Sequence, residues 1–84
     1  MGIMWKPTEL DIAWMKALFT RLSVGGIWSY STSPIIFRKE DKHTFALIRV
    51  DMTFPDVAEQ IERNRTVMEK AGIKFVDKRF EHGI

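Results

Sequence analysis

The segment HTFALIRVDM, residues 43–52, decides the fold, because an alternating apolar run of this length predicts a strand immediately before a helix start. Side chains in a strand point alternately to opposite faces, so the segment divides into two sets. One set is predicted to lie in the core: Ala46, Ile48, Val50 and Met52. The other set is predicted to face outwards: Phe45, Leu47, Arg49 and Asp51. Two apolar side chains, Phe45 and Leu47, would then lie on the outer face of the sheet.

Two further strands are predicted upstream of this segment. Residues 27–32 are rich in strand formers and alternate, with Trp28 and Tyr30 on one face. Residues 35–39 form a second apolar run, and residues 40–42 are typical of a polar turn. Because the connections are short, we expect these three strands to form an antiparallel meander.

Residues 9–22 are predicted to form the first helix, which ends near Gly25. Thr8 and Asp11 have the spacing of reciprocal N-terminal capping. The apolar residues of this helix form two neighbouring stripes: Leu10, Trp14, Ala17 and Leu18 in one, and Ile12, Met15, Phe19 and Leu22 in the other. This arc is wider than one sheet face can cover. We therefore expect that both sides of the helix are buried or that part of it meets a partner.

A second helix is predicted to begin at Thr53 and to run to Ala71. Thr53 is the predicted N-cap, Pro55 fits the first turn, and Gly72 is typical of a helix C-terminus. Its predicted buried stripe is narrow: Phe54, Val57, Ala58, Ile61, Met68 and Ala71. Opposite charges four residues apart on its other face predict two ion pairs: Glu59 with Arg63, and Arg65 with Glu69.

Residues 73–80 alternate again and predict a last strand at an edge of the sheet, where lysines discourage further pairing. Since a helix precedes it, we expect this strand to run parallel to the third strand. The order α-β-β-β-α-β predicts an α+β two-layer sandwich, with a three-stranded antiparallel meander, two helices on one face and a C-terminal strand. The 84 residues predict one domain, 1–84, with flexible ends at 1–6 and 81–84.

Composition excludes several classes of function. The chain has no cysteine, which excludes disulfides and thiolate metal sites. No run of 18 apolar residues and no signal-like start occurs, so we expect a cytoplasmic protein. The formal net charge of +2, from 13 basic and 11 acidic side chains, is small for a dedicated nucleic-acid binder. We predict neither a cofactor nor a metal.

A nucleophilic site would need a nucleophile, a base and an orienting acid. The nucleophile could be one of the serines of residues 29–33, the base His43, and the orienting acid Asp41 or Asp51. An exposed strand and an ordinary turn explain the same residues better. Metal binding could draw on two clusters: Glu40, Asp41 and His43, or Glu81 and His82. Neither cluster has a second histidine at ligand spacing. We therefore predict that the chain is not an enzyme.

Three tryptophans, six phenylalanines and five methionines are many for 84 residues, and these types are enriched at the centres of protein interfaces. We therefore predict a non-enzymatic protein-binding module that acts through an outer sheet surface. Its members are aromatic, apolar and basic: Trp28, Tyr30, Phe37, Arg38, Phe45, Leu47 and Arg49. Met15 and Phe19 on the wide helix are a second candidate patch. A homodimer would bury these aromatic and methionine side chains against a symmetric copy of the chain.

The alternative is a small nucleic-acid-binding domain. Its candidate contacts fall into a hairpin cluster and a C-terminal cluster: Lys39, Lys42, Lys70, Lys74, Lys78 and Arg79. The helix–three strands–helix order resembles the double-stranded-RNA-binding domain in outline, and this resemblance implies phosphate contacts from a lysine-rich start of the second helix. Residues 55–60 are acidic here instead, so protein binding ranks first.

Three segments together resemble small proteins of unknown function in tailed-phage genomes: Gly25–Trp28, Phe37–Glu40 and Ala71–Asp77. The shared layout is a glycine–tryptophan strand, an F-R-K strand, a helix and an A-G-I strand. The resemblance implies a phage accessory or counter-defence protein that inhibits a host enzyme by binding it in the host cytoplasm. It implies no catalytic residue.

Overall fold

Two helices and four strands follow one another in the predicted order α-β-β-β-α-β. The computed structural model describes residues 5–29 and 34–79. Within these ranges the elements are α1 (Glu9–Arg21), β1 (Ile27–Trp28), β2 (Ile35–Lys39), β3 (Thr44–Val50), α2 (Val57–Lys70) and β4 (Lys74–Asp77). The strands form one mixed sheet in the order β1-β2-β3-β4, so the predicted α+β architecture is confirmed.

The strands pair as the lengths of their connections predict. β1 with β2 and β2 with β3 are antiparallel, whereas β4 returns parallel to β3 after α2. β1 and β4 are therefore the two edge strands. Of the strand predicted at 27–32, the first two residues form β1 and Ser29 follows it. Residues 30–33, which include Tyr30, lie outside the described residues.

The core lies between the two helices and one face of the sheet. Both helices, the sheet and the residue before β4 contribute to it: Met15, Phe19, Ile35, Phe37, Phe45, Leu47, Val57, Ile61, Val67, Met68 and Ile73. Phe19 of α1 meets Phe45 edge-on with ring centroids 5.2 Å apart, and Phe37 lies 5.1 Å from Phe45. Burying one such side chain contributes about 1.5–3 kcal/mol, so this ring cluster holds α1 to the sheet.

The predicted orientation of β3 was wrong for Phe45 and Leu47 and right for Arg49 and Val50. Phe45 and Leu47, predicted to face outwards, have no exposed surface and pack in the core. Of the set predicted to be buried, Ala46 is enclosed on the opposite face of the sheet, and Met52 is 63% exposed beyond the end of the strand. The larger pair faces the helices because only there can Phe45 join the rings of α1 and β2.

A β-bulge explains why simple alternation fails along β3. The register between β2 and β3 shifts after Ile36, and Ile48 is left without a partner in the ladder. An extra residue of this kind bends the strand and changes the face of every residue after it. Leu47 and Val50, three positions apart, therefore pack on the same core face.

The predicted capping of α1 is confirmed. The backbone N–H of Asp11 donates to Oγ1 of Thr8 (3.1 Å), and the backbone N–H of Thr8 donates to Oδ2 of Asp11 (2.8 Å). These two bonds satisfy amides that no helical carbonyl can reach. The helix accordingly begins at Glu9, as predicted, and it ends at Arg21.

The helix α2 begins later than predicted. Oδ1 of Asp51 accepts hydrogen bonds from the N–H (3.0 Å) and the hydroxyl (2.6 Å) of Thr53, so Thr53 forms a turn and not the N-cap. The first helical residue is Val57. Phe54, predicted to be buried, therefore precedes the helix and is 40% exposed, and Ala58 is exposed as well.

The end of α2 and its charged face match the prediction. Gly72 follows the helix with a positive φ of 78°, a conformation that glycine adopts without strain. The ion pairs predicted on the outer face form, at 2.6 Å between Glu59 and Arg63 and at 3.6 Å between Arg65 and Glu69.

Lys39 ties the end of α1 to the sheet. Its side chain is only 8% exposed and lies on the core face of β2. Nζ donates to the carbonyl oxygens of Phe19 (2.8 Å) and Leu22 (2.9 Å), and it lies 4.4 Å from the centroid of the Phe19 ring. The last carbonyls of a helix lack intrahelical donors and carry partial negative charge, so an ammonium satisfies them. The lysine thereby fixes where α1 ends above β2.

We expect Lys39→Met to lower the free energy of unfolding by about 1–3 kcal/mol, because methionine keeps the apolar stem but removes the ammonium that donates to two carbonyls. Chemical denaturation measures this loss. Lys42→Met, which removes an exposed lysine from the neighbouring turn, is the control and should change the same quantity by less than about 0.5 kcal/mol. Equal losses in the two variants would show that the bonds from Lys39 stabilise nothing.

Candidate protein-binding surface

The outer sheet surface predicted from the sequence does not form in the described residues. Three of its members have no exposed surface and lie in the core: Phe37, Phe45 and Leu47. Trp28 is half-buried and stacks on Phe37 with ring centroids 5.8 Å apart. Tyr30 lies outside the described residues. The described aromatic side chains of the sheet therefore face the helices, where their apolar area is removed from water.

Two arginines of that predicted surface do lie on the outer side of the sheet. Arg38 is partly exposed and bonds to a neighbouring carboxylate, whereas Arg49 is exposed. Arg49 borders two shallow pockets of about 280 and 400 Å³, the first also lined by Ile48 and the second by Ile36. The outer side of the sheet is thus basic and aliphatic in its described part.

The side chain of Glu40 bridges two strands on the outer face of the sheet. Its carboxylate accepts hydrogen bonds from Nε of Arg38 (2.5 Å) and from Nζ of Lys78 (2.6 Å). Arg38 belongs to β2 and Lys78 follows β4, so the carboxylate links two strands across β3. The hydrogen bonds from Arg38 and then Lys78 hold the pKa of Glu40 below its ordinary value of 4.5, because both favour the charged carboxylate.

The predicted nucleic-acid contacts are divided among different environments. Lys39 is buried beneath α1, Lys78 is paired with Glu40, and Nε of Arg79 lies 3.1 Å from Oδ2 of Asp77. The other three are exposed on separate elements, the β2–β3 turn, α2 and β4: Lys42, Lys70 and Lys74. No one face brings the six together, since one lysine is inside and another belongs to the helix layer.

The residues considered for catalysis or metal binding are engaged in local turns. Oδ1 of Asp41 accepts from the backbone N–H of His43 (2.8 Å), and Asp51 accepts from Thr53. Ser29 is exposed after β1, and four candidates lie outside the described residues: Ser31, Ser33, Glu81 and His82. Within the described ranges, no group of three or more histidines and carboxylates is placed to hold a metal ion.

The helix α1 turns most of one apolar stripe into the core and leaves most of the other in water, although Leu18 of the latter packs against the core. Met15 and Phe19, the second candidate patch, are 1% and 5% exposed and belong to the core. Leu10 and Trp14 of the first stripe are 79% and 46% exposed, and Ala17 is exposed as well. We name the exposed stripe, together with the basic residue that continues it, the α1 strip: Leu10, Trp14, Ala17 and Arg21.

Most of the large exposed apolar side chains belong to α1 or to the segments that precede and follow it in the chain. Five of the seven large ones in the described residues lie on α1 or in the segments beside it: Trp5, Leu10, Trp14, Val24 and Ile27. Trp14 meets Trp28 edge-on with ring centroids 5.8 Å apart. Trp5 lies against α2, where the guanidinium of Arg63 is 5.4 Å from its ring centroid. A pocket of about 180 Å³ between the two helices is bordered by Trp5, Trp14 and Val67.

A signal for this strip was present in the sequence. Arg21 continues the stripe of Leu10, Trp14 and Ala17, whereas Leu22 continues the buried stripe. A charged residue in one of two otherwise similar stripes marks the side that stays in water, because an unpaired charge is costly to bury.

Comparisons with protein-family models, with curated proteins and with solved structures found no match for this chain. The resemblance to small tailed-phage proteins therefore stays a prediction. Neither helix in the described ranges has the length and apolar character needed to cross a membrane.

Acid should remove the contribution of Glu40 to stability. Because the pKa of Glu40 is lower in the folded chain than in the unfolded chain, this contribution is present above pH 4.5 and disappears as the pH falls through the folded-state pKa. We expect Glu40→Gln to lower the free energy of unfolding at neutral pH, and the difference from wild type to shrink below pH 4.5.

Urea denaturation over a series of pH values measures this difference. Glu62→Gln, on the exposed face of α2, is the matched control and should differ less from wild type at neutral pH, because its nearest ion-pair distance is 3.7 Å. A Glu40→Gln difference of the same size at every pH would contradict the prediction.

Proposed function

We propose that this chain is a non-enzymatic protein-binding domain whose binding surface is the α1 strip with the tryptophans beside it. The observation that carries this proposal is the exposure of Leu10 (79%) and Trp14 (46%) on one side of the same helix. Single exposed apolar residues are ordinary on protein surfaces, but adjoining ones are typical of interaction sites. Tryptophan is also among the residues that most often dominate binding energy at interfaces.

The proposal is also supported by how firmly the strip is held. α1 is capped at its start by Thr8 and Asp11, and its last carbonyls are held by Lys39. The ring of Trp14 rests edge-on against Trp28 before any partner arrives. Binding loses less conformational entropy when the contacting side chains are already positioned, so such a strip is suited to tight association.

The resemblance to small tailed-phage proteins supports a more specific form of this proposal. The chain would be an accessory or counter-defence protein that inhibits a host enzyme in the host cytoplasm by covering its surface. An inhibitor of this kind needs a rigid apolar surface and no reactive group, and a chain of 84 residues is large enough to present one.

Nucleic-acid binding is the second candidate, and the exposed Lys42, Arg49 and Lys74 favour it. The ion pairs of Lys78 and Arg79 count against it, because a neutralised charge releases fewer counterions from a phosphate backbone. The two functions differ in their response to salt. Six phosphate contacts would lose on the order of 10³-fold in affinity between about 50 and 200 mM salt, whereas an apolar protein interface would change little.

Site-specific photocrosslinking tests the protein-binding proposal. Leu10→p-benzoylphenylalanine should form a covalent adduct with a protein when cells that contain the chain are irradiated, because the side chain at position 10 points away from the core. Denaturing electrophoresis and mass spectrometry identify the adduct, whether the partner is another protein or a second copy.

Glu62→p-benzoylphenylalanine is the matched control, since the Glu62 side chain is 68% exposed on the charged face of α2. Adducts formed from position 10 and absent from position 62 are expected. The proposal fails if position 10 gives no adduct or if both positions give the same adducts.

A further inference from the structure

We propose that the pocket at the carboxyl ends of β3 and β4 binds a small organic anion, a carboxylate on an aliphatic body. The pocket has a volume of about 280 Å³, and its walls include two arginines and two apolar side chains: Arg49, Arg79, Ile48 and Met52. None of the four belongs to the α1 strip, so this site is additional to the proposed protein-binding surface. Three features carry the inference: the place of the pocket in the sheet, the β-bulge beside it, and the chemistry of its walls.

The pocket lies where two neighbouring parallel strands end. β3 ends at Val50 and β4 ends at Asp77, and because the two strands are parallel, both leave the same end of the sheet. Met52 lies two residues after β3 and Arg79 two residues after β4, so the segments that leave the two strands form walls of the pocket. In open parallel sheets, ligands bind in the crevice outside the carboxyl ends of the strands.

The β-bulge brings two consecutive residues to the same pocket. In a regular strand, Ile48 and Arg49 would point to opposite faces of the sheet. The register shift between β2 and β3 leaves Ile48 without a ladder partner, and both residues border the pocket. Bulges occur more often than expected beside active sites, where they redirect a side chain. Here the bulge places an apolar group and a cationic group side by side.

The two arginines make the pocket attractive to an anion. Arg49 is exposed and takes part in none of the ion pairs within the described ranges. Nε of Arg79 lies 3.1 Å from Oδ2 of Asp77, and Nη1 lies 3.8 Å from Sδ of Met52 on the wall of the pocket. A guanidinium has five N–H donors, more than one carboxylate uses, so Arg79 can bind a second anion while it stays paired with Asp77.

The apolar side chains of the pocket define the body of the ligand. Met52 is 63% exposed and Ile48 is half-buried, so both offer aliphatic surface to a bound molecule. An aliphatic chain that covers this surface is removed from water, whereas inorganic phosphate would gain nothing from it. Guanidinium groups bind carboxylates through two parallel hydrogen bonds. An aliphatic carboxylate therefore matches both the cationic and the apolar parts of the pocket.

Titration with a pair of fluorescent probes tests this site. Anilinonaphthalene sulfonate combines an apolar ring system with one negative charge, and its emission rises when it leaves water. Phenylnaphthylamine has the same ring system without the sulfonate, so it reports binding to apolar surface alone. Octanoate, an aliphatic carboxylate, should displace the anionic probe from the wild-type chain at concentrations at which inorganic phosphate leaves the probe bound.

Variants assign the binding to this pocket. Arg49→Gln and Arg79→Gln should each raise the dissociation constant of the anionic probe about tenfold and leave that of the neutral probe unchanged, because each removes charge-assisted donors. Arg21→Gln is the matched control, since it removes another exposed arginine, next to the apolar residues of the α1 strip. It should leave both constants unchanged. Circular dichroism confirms that every variant is folded.

Three results would overturn the inference. The first is a constant for the anionic probe that either Arg49→Gln or Arg79→Gln leaves unchanged. The second is an equal loss of affinity in Arg21→Gln, which would place the probe on the α1 strip. The third is octanoate that displaces the probe no better than inorganic phosphate does. All three leave the proposed function standing, because adducts from position 10 report a different surface.

Discussion

The ammonium of Lys39 sets the position of α1 on the sheet, and the candidate surface depends on that position. Its bonds to the carbonyls of Phe19 and Leu22 hold the last turn of the helix above β2. The ring of Phe19 meets Phe45 in the core, so the rotation of the helix about its own axis is determined as well. Once this rotation is determined, Leu10 and Ala17 stay in water, whereas Leu18 of the same stripe packs against the core.

The bulge at Ile48 has a comparable effect on the sheet. It lets Leu47 and Val50 share the core face although they are three positions apart. The aromatic and aliphatic side chains of β2 and β3 are thereby gathered beneath the helices, and the outer face is left with charged groups such as Arg38 and Glu40. The surface with the most exposed apolar side chains consequently lies on a helix, not on the sheet.

Elements governed by short-range contacts could be predicted well. The start of α1 at Thr8 and the end of α2 at Gly72 each depend on bonds or backbone angles within a few residues. Thr53 shows where local rules are insufficient. As a residue type it suits both a helix N-cap and a turn. Its hydrogen bonds to Asp51, two positions earlier, place it in a turn.

The amino-acid sequence by itself determined the order of the elements, the direction of β4 and the presence of two apolar stripes on α1, because periodicity, capping residues and connection lengths act within or between neighbouring segments. Only the tertiary structure decided which stripe of α1 and which side of β3 are buried. Both alternatives in each case have similar local energies, and the choice is made by contacts between residues far apart in the chain, such as Phe19 with Phe45 and Lys39 with Leu22.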